Sequence, residues 1–264
     1  MATTTTTDPA ASGVPESKPA QRKALAEWAI TILILLFATS TIAQPFVIPT
    51  ASMHNTLLTG DHVIVDKLAY SPSDPISRHI LPYENVKRGD IIVFQHPTLI
   101  NVDWVKRCIG VPGDHIKLVD KQVFVNGKPL KEPYVIHQDN SLYYRDNFPL
   151  GQPEYTQDPK MAARALKMLR DSVVNGELVV PPGNYFAMGD NRDDSLDSRY
   201  FGFVPRDNII GKPLIVFWSY DAPTDELEHY SFRQMFDLAT HFFTHTRWNR
   251  TLKLIRGYHD YPQS

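Results

Sequence analysis

The longest apolar run, Leu25–Ala43, limits what this chain can fold into more than any other feature. Apart from Glu27 and a few Thr and Ser residues, the run is almost wholly apolar. About 20 residues at roughly 1.5 Å each match the roughly 30 Å hydrocarbon core of a bilayer. Trp28 suits one membrane interface, and Gln44-Pro45 ends the run at the other. We therefore predict a transmembrane anchor over residues 24–44.

Two other interpretations of the run are a cleavable signal peptide and a buried core helix. The run is long for the apolar part of a signal peptide and starts late, although residues 40–43 include small side chains suited to cleavage. Arg22 and Lys23 precede the run, and the next basic residue after it is Lys67. Because Lys and Arg residues that flank a transmembrane segment concentrate on its cytoplasmic side, we expect a cytoplasmic N-terminus and an exported domain. The polar, low-complexity start predicts a disordered cytoplasmic tail over residues 1–23.

Composition narrows the class of protein. The 264 residues hold 27 Lys and Arg against 29 Asp and Glu, and this near-neutral balance argues against nucleic-acid binding. Cys108 is the single cysteine, which excludes an intramolecular disulfide and a structural zinc site built from several cysteines. The 21 Pro and 13 Gly residues favour a β protein rich in turns over a helical bundle.

The pattern beyond residue 45 predicts mostly strands. Apolar and β-branched runs indicate strands at His62–Tyr70, Ile91–Phe94, Val102–Val111, Ile116–Val119, Gln122–Val125, Leu178–Met188 and Ile209–Tyr220. Asn126-Gly127 is a strong hairpin signal, residues 138–158 read as a loop, and Lys160–Val173 shows the spacing of one short soluble helix. The fold class is therefore mainly β, a folded-sheet or barrel-like domain at 45–220 on a single N-terminal transmembrane helix.

The segment 221–264 is mixed and aromatic, and its role cannot be assigned from the sequence. A basic run from Arg247 to Arg256 lies within it. This run has three interpretations: a helix lying on the domain, a helix near lipid headgroups, or a solvated face. We favour the solvated face.

Two residues stand out as candidates for chemistry. Ser52 lies a few residues beyond the apolar run, where a hydroxyl would meet a substrate leaving the membrane. A serine needs an adjacent base, and His54 is too close along the chain for a productive hydrogen bond. In the predicted strand, Lys106 shares one face with Trp104 and Cys108. Burial between the indole and the thiol would lower the pKa of its amine. The alternative is a lysine whose amine reaches water.

A polar run, Gly189–Arg199, forms the third candidate site. Its carboxylates can pair with arginines, and its hydroxyls can orient a neighbouring group. The alternatives are an exposed turn and a calcium loop. The run lacks the spacing and the twelfth-position Glu of an EF-hand, which argues against calcium.

In combination these segments resemble the bacterial type I signal peptidases over about residues 25–218. The matching stretches are 48–53 (IPTASM), Gly60-Asp61, 89–94 (GDIIVF), 105–107 (VKR) with 110–114 (GVPGD), and Gly189–Arg199 with Tyr200, Gly202 and Pro205. Each stretch alone is weak evidence. Their order and spacing behind a transmembrane anchor make the resemblance specific.

The resemblance implies a role for each matching residue. Ser52 would be the nucleophile and Lys106 the general base. Thr50 would join the Ser52 amide in an oxyanion hole, and Ser195 would orient the lysine amine. Salt bridges among Asp197, Arg199 and Arg107 would hold the site rigid. The substrate pockets would be lined by Phe46, Ile48, Pro49, Met53, Leu57, Asp103, Trp104 and Val105.

The same resemblance implies the partners and the location. The substrates would be precursor proteins bearing signal peptides, and the partners would include the lipid bilayer but no nucleic acid. We expect a single-pass monomer in the bacterial plasma membrane, with the catalytic domain on its outer face and with no metal or cofactor. A non-catalytic, membrane-tethered β module for envelope assembly is the alternative function. A soluble serine–lysine autoprotease would share the two catalytic residues but not the anchor.

The sequence departs from the family in three places. Asn55 stands where proline is common, which predicts a looser turn after Ser52. Asp194 replaces a common asparagine and adds negative charge near the polar run. The segment after Tyr220 has no counterpart that we could place.

Overall fold

The computed structural model describes residues 18–70, 84–99, 102–150, 158–222 and 232–259. Residues 1–17 of the predicted tail and 151–157 of the predicted loop lie outside this range. The chain divides into two compact units, Met1–Ser40 and Thr41–Ser264. The division places the segment after Tyr220 with the β-rich part of the chain.

The first unit consists of one long helix in its described part. Helix α1 spans Lys18–Phe37, and a π-helical turn, Ala38–Ile42, follows it. The window Lys23–Ile42 has a mean hydropathy of 1.9 and none of it is buried. Within the described residues this is the one helix long and apolar enough to cross a membrane. A core helix would have a buried face, and no residue of this window is buried.

The second unit is built on a curled sheet of eight strands. Its strands are β1 (Ala43–Val47), β2 (Asp61–Asp66), β3 (Ile91–Gln95), β4 (Asp103–Gly110), β10 (Asn184–Met188), β11 (Val204–Pro205), β12 (Ile209–Ser219) and β13 (Lys253–Leu254). The order is β1-β2-β12-β3-β4-β10-β11, with β13 paired to β12. Register shifts in β12 mark bulges that bend the strand from β3 onto β2. The predicted folded sheet is confirmed.

A second sheet of five strands follows β4. It contains β5 (His115–Val119), β6 (Gln122–Val125), β7 (Lys128–Pro129), β8 (Val173–Val174) and β9 (Glu177–Val179), in the order β7-β6-β5-β9-β8. The predicted hairpin is confirmed, because Asn126 and Gly127 take φ of 52° and 74° between paired β6 and β7. The strand predicted at Leu178–Met188 is instead β9 and β10, interrupted by Pro181, Pro182 and Gly183.

Three α-helices complete the described second unit. Helix α2 spans Pro159–Ser172, α3 spans Ser198–Phe201 and α4 spans Phe232–His245. The predicted helix α2 begins where the Asp158 carboxylate accepts from the Lys160 N–H, with Pro159 in the first turn. It buries Met161, Ala165 and Met168, spaced for one helical face. Helix α4 lies in the segment 221–264, for which the sequence predicted no structure.

Two apolar clusters hold β3 and β4 between them. Ile91 and Val93 point into a cluster that also contains Met53 from the turn carrying Ser52. Ile92 and Phe94 point to the opposite side, into a cluster shared with Phe201 of α3 and Met161 of α2. Strand β3 is therefore buried on both faces and is a rigid base for its neighbour β4, which carries Lys106.

Candidate active site

Ser52 lies on a short 3₁₀ helix, Ala51–Met53, just after β1. Backbone hydrogen bonds from Ile48 N to Asp61 O (2.9 Å) and from Gly60 N to Ile48 O (2.8 Å) close the loop at its base. The buried side chain of Met53 fixes the helix to the core. The Ser52 carbonyl also accepts from the Asn191 N–H at 3.1 Å. The backbone of Ser52 is thus held by the closed loop before it, by the buried Met53 after it and by the bond from Asn191.

Lys106 reaches the serine from the middle of β4. Its Cα pairs with Ile92 across β3–β4, so the sheet fixes the backbone beneath it. The Nζ atom lies 2.7 Å from Ser52 Oγ and 3.2 Å from the Val105 carbonyl oxygen. It also lies 5.1 Å from the centroid of the Trp104 ring, which covers it from one side. A proton can therefore pass directly between the serine hydroxyl and the lysine amine.

Burial lowers the pKa of Lys106 and so favours the neutral amine that can act as a base. The side chain is almost inaccessible to solvent, and loss of hydration lowers the pKa of its amine from 10.5 to about 8. The carboxylates of Asp197, Asp190 and Asp194 oppose this effect but do not cancel it. A substantial fraction of Lys106 is consequently uncharged in mildly alkaline solution.

Thr50 lies beside the nucleophile. Its Oγ1 is 3.5 Å from Ser52 Oγ, and the residue is exposed to the cleft rather than buried. The Ser52 amide belongs to the first turn of the 3₁₀ helix, where backbone N–H groups lack intrahelical acceptors. The amide and the threonine hydroxyl are donors of the kind that an oxyanion hole requires.

Ser195 is buried near the same site. Its Oγ has no hydrogen-bond partner among the described residues, and the structure shows no bond from it to Lys106. Space here is tight, because a Cβ on Gly189 would lie 2.5 Å from the Ser52 carbonyl oxygen and would also meet the Ser195 hydroxyl. The orienting role of Ser195 remains a prediction.

The expected salt-bridge cluster is divided into two separate pairs. Arg199 binds the Asp197 carboxylate at 2.8 Å, as the resemblance implied. Arg107 instead binds Asp190 at 2.7 Å, and its Nη1 donates to the Gly89 carbonyl at 2.8 Å. All four charged groups are buried. Asp190 was missed because the sequence offers several carboxylates within a few residues and no rule for choosing between them.

Two further charged residues of the polar run, Asp193 and Arg192, also form ion pairs. The Lys121 ammonium binds Asp193 at 3.1 Å. Arg192 is paired with Glu132 from a distant loop. Within the described residues, no group of three potential metal ligands is arranged to hold an ion. These ion pairs favour a rigid support over the calcium loop considered above.

A cleft of ≈ 370 Å³ opens beside Ser52 and Lys106. Of the predicted pocket residues, it is lined by Phe46, Ile48, Pro49, Met53, Asp103, Trp104 and Val105. Leu57 is fully buried in the core beneath the turn and does not line the cleft. Residues that the sequence analysis did not include also line it: Val47, Ala51, Val93, Val102, Asp194 and Leu196. The cleft is mainly apolar and runs along the edge of β1.

Two sequence departures gain a structural meaning. Asn55 has a φ of +89°, which proline cannot adopt, and its amide donates to the Tyr134 carbonyl at 3.0 Å. Asn55 therefore fastens the turn that it was expected to loosen. Asp194 is exposed at the cleft wall and raises the pKa of Lys106, against the larger effect of burial. His54, the weaker candidate base, is exposed and does not line the cleft.

The basic run near the C-terminus is only partly a solvated face. Lys253 and Arg256 are exposed, as that interpretation requires. Arg250 is buried instead, and it is paired with Asp61 of β2. Arg247 donates to the Thr59 carbonyl at 2.8 Å. The run contains a short strand and a turn, not a helix, because β13 pairs with β12.

Comparison with known proteins places the chain in a family. The family described as signal peptidase, peptidase S26, matches residues 21–218. A signal peptidase I of Buchnera aphidicola is 34% identical over 243 residues, covering 77% of each chain. That of Aquifex aeolicus is 35% identical over 232 residues, covering 77% of this chain and 86% of its own. A crystal structure of a signal peptidase I from Enterococcus faecalis is 33% identical, with a TM-score of 0.32, and covers 49% of this chain and 97% of that one. The chain belongs to the signal peptidase family, peptidase S26, whose members are serine endopeptidases.

Proposed function

We propose that this protein is a membrane-bound endopeptidase that removes signal peptides from exported precursors with a Ser52–Lys106 dyad. The observation that carries the proposal is the 2.7 Å contact between Lys106 Nζ and Ser52 Oγ. That contact is combined with burial that lowers the lysine pKa to about 8. A charged lysine would donate to the serine oxygen, whereas a neutral one accepts the serine proton and so creates the nucleophile.

The reaction follows from this geometry. Ser52 Oγ attacks the scissile carbonyl carbon as its proton moves to Lys106 Nζ. The negative charge on the carbonyl oxygen is held by the Ser52 amide and the Thr50 hydroxyl, and one such donor typically lowers the barrier by about 2.7–4 kcal/mol. Lys106 then gives its proton to the leaving amine, and the signal peptide stays attached to Ser52 as an ester. A water molecule, deprotonated by the same amine, attacks the ester, and Lys106 returns this proton to Ser52 Oγ as the signal peptide leaves.

The cleft accounts for the substrate. Strand β1 and the segment up to Pro49 form one wall, and Asp103, Trp104 and Val105 belong to the strand opposite. An extended peptide can lie between them by pairing with backbone groups, and the small apolar space accepts small side chains such as alanine. Signal peptides end in small residues of this kind.

The long apolar helix supplies the membrane location. Its window of 20 residues, Lys23–Ile42, ends immediately before β1, which forms a wall of the cleft. We propose that the helix spans the plasma membrane with its N-terminus in the cytoplasm, since Arg22 and Lys23 lie on that side. The catalytic unit would then meet precursors at the outer surface.

Cleavage of a precursor by the purified protein tests the proposal. The full chain in detergent is incubated with one exported precursor, and the new N-terminus is sequenced. We expect one cut after a small residue, and Ser52→Ala and Lys106→Ala should each abolish it while near-UV circular dichroism stays unchanged. Turnover near the wild-type rate by either variant would exclude the dyad. No cleavage by the wild type of several precursors would favour the non-catalytic β module.

A further inference from the structure

The final described segment, Thr246–His259, which we call the C-terminal strap, packs along the catalytic unit. It forms β13 beside β12, and the Ile255 N–H donates to the Leu214 carbonyl at 2.8 Å. The Ile255 side chain packs against the cluster that contains Met53. The strap therefore contacts the same core as the turn that carries the nucleophile.

Arg250 ties the strap to the loop that follows Ser52. Its guanidinium binds the Asp61 carboxylate, with Nε 3.1 Å from Oδ1, and Nη2 also donates to the Thr56 carbonyl at 3.1 Å. Asp61 is fully buried and Arg250 is 9% exposed. Ser219 donates a further hydrogen bond to Asp61 at 2.7 Å. A buried carboxylate with these partners is costly to leave without its arginine.

The loop between Thr56 and Asp61 is hydrogen-bonded to the turn that carries Ser52. The N–H groups of Thr56 and Leu57 donate to the Met53 carbonyl at 3.0 and 2.8 Å, so the turn around Ser52 rests on this loop. Asp61 is the first residue of β2, and its carbonyl accepts a hydrogen bond from the Ile48 N–H, which closes the loop. Thr56 and Asp61 are thus each joined by a backbone hydrogen bond to the segment 48–53, which carries Ser52.

On its other side, Thr56 contacts Asp190 and Arg107, the buried ion pair beside the candidate base Lys106. The Thr56 hydroxyl donates to Asp190, and Arg107, which neighbours Lys106 on β4, donates to the same hydroxyl at 3.3 Å. The strap also reaches this support, because the Tyr258 N–H donates to the Gly89 carbonyl at 3.1 Å. The Gly89 oxygen is the acceptor of Arg107 as well. Thr56 thus lies between Arg250 on one side and the strand carrying the lysine on the other.

We propose that Arg250 is a positioning residue, through which the C-terminal strap holds Ser52 within reach of Lys106. This inference rests on the proposed Ser52–Lys106 dyad. Arg250 contacts neither substrate nor the reacting atoms and acts through Asp61 and Thr56. Because displacement of a reacting group by about 1 Å costs on the order of 100-fold in rate, a small loosening of the loop should lower turnover strongly.

Steady-state kinetics on the full chain in detergent test this inference. Arg250→Met removes both contacts, and Arg250→Lys keeps a charge for Asp61 but cannot reach both partners. Arg256→Met is the matched control, because Arg256 lies on the same strap and is exposed. Turnover is expressed per folded molecule, with near-UV circular dichroism and gel filtration defining the folded fraction.

We expect Arg250→Met to lower kcat at least tenfold while KM stays within about threefold, because the cleft is not touched. Arg250→Lys should recover part of this loss, and Arg256→Met should match the wild type. A purely structural role would reduce the folded fraction and leave kcat per folded molecule unchanged. That result, or failure of both Arg250 variants to fold, overturns the inference.

The proposed function is checked in the same experiment. If the wild type does not cleave, or if Ser52→Ala still cleaves, the dyad fails and the inference about Arg250, which rests on it, is overturned as well. If the wild type cleaves, Ser52→Ala does not, and Arg250→Met turns over normally, the inference about the strap alone fails.

Discussion

Burial of Lys106 should make the folded protein less stable at neutral pH than it would be with an apolar residue there. The folded state holds the lysine proton less tightly than the unfolded state, because burial lowers the pKa from 10.5 to about 8. At about 1.4 kcal/mol for each tenfold change in proton affinity, this difference costs about 3 kcal/mol. The cost is fully present below pH 8 and is relieved as the pH rises from 8 toward 10.5.

Lys106→Met removes this cost and keeps a side chain of similar length. It also removes the hydrogen bonds to Ser52 and Val105, each typically worth about 1 kcal/mol. The loss of these hydrogen bonds affects the free energy of unfolding equally at all pH values. Comparing the two proteins at two pH values therefore isolates the effect of the lysine charge. Relative to the variant, the wild type should gain about 2–3 kcal/mol in its free energy of unfolding between pH 7 and pH 10.

Urea unfolding in nonionic detergent, followed by intrinsic fluorescence, measures this difference. Both proteins are unfolded at pH 7 and pH 10, and Lys253→Met serves as the control because Lys253 is exposed. The control should show no such dependence on pH. The result to watch is the difference in free energy of unfolding between the wild type and Lys106→Met. If this difference is the same at pH 7 and at pH 10, the pKa of Lys106 is not lowered and the reasoning is refuted.

Three further variants probe the site. Gly189→Ala should abolish cleavage measured on a precursor, because its Cβ would lie 2.5 Å from the Ser52 carbonyl oxygen; wild-type activity would contradict this packing. Asn55→Pro should lower the melting temperature by several degrees and reduce turnover, since proline cannot adopt the φ of +89° and cannot donate the side-chain hydrogen bond; an unchanged melting temperature would count against it. Asp194→Asn should move the acid limb of the pH–rate profile to lower pH, because this carboxylate raises the pKa of Lys106; a move to higher pH would contradict that sign.

Local patterns were sufficient for much of the fold. The apolar run, the helix at Pro159–Ser172 and the Asn126-Gly127 hairpin were all visible in the sequence, because each depends on neighbouring residues. Strand β4 was predicted within a residue at each end, and its alternation placed Lys106 beside Trp104. The partnership between Lys106 and Ser52 needed the family resemblance, because 54 positions separate them and no local period links them.

Long-range ion pairs were the part that the sequence did not predict. Arg107 pairs with Asp190 across 83 positions, and Arg250 pairs with Asp61 across 189. Several carboxylates compete for each arginine along the chain, and only the folded backbone selects one. The turn at Asn55 was misjudged for a related reason, since its positive φ depends on how the loop closes and not on the residue alone.

The pH dependence of precursor cleavage tests the central claim most directly, namely that neutral Lys106 activates Ser52. The ratio kcat/KM is measured from pH 5 to pH 10 on the full chain in detergent. We expect it to rise about tenfold per pH unit at the acid end and to level off near pH 8, where Lys106 becomes neutral. A rate that stays flat down to pH 5 would contradict a lysine base.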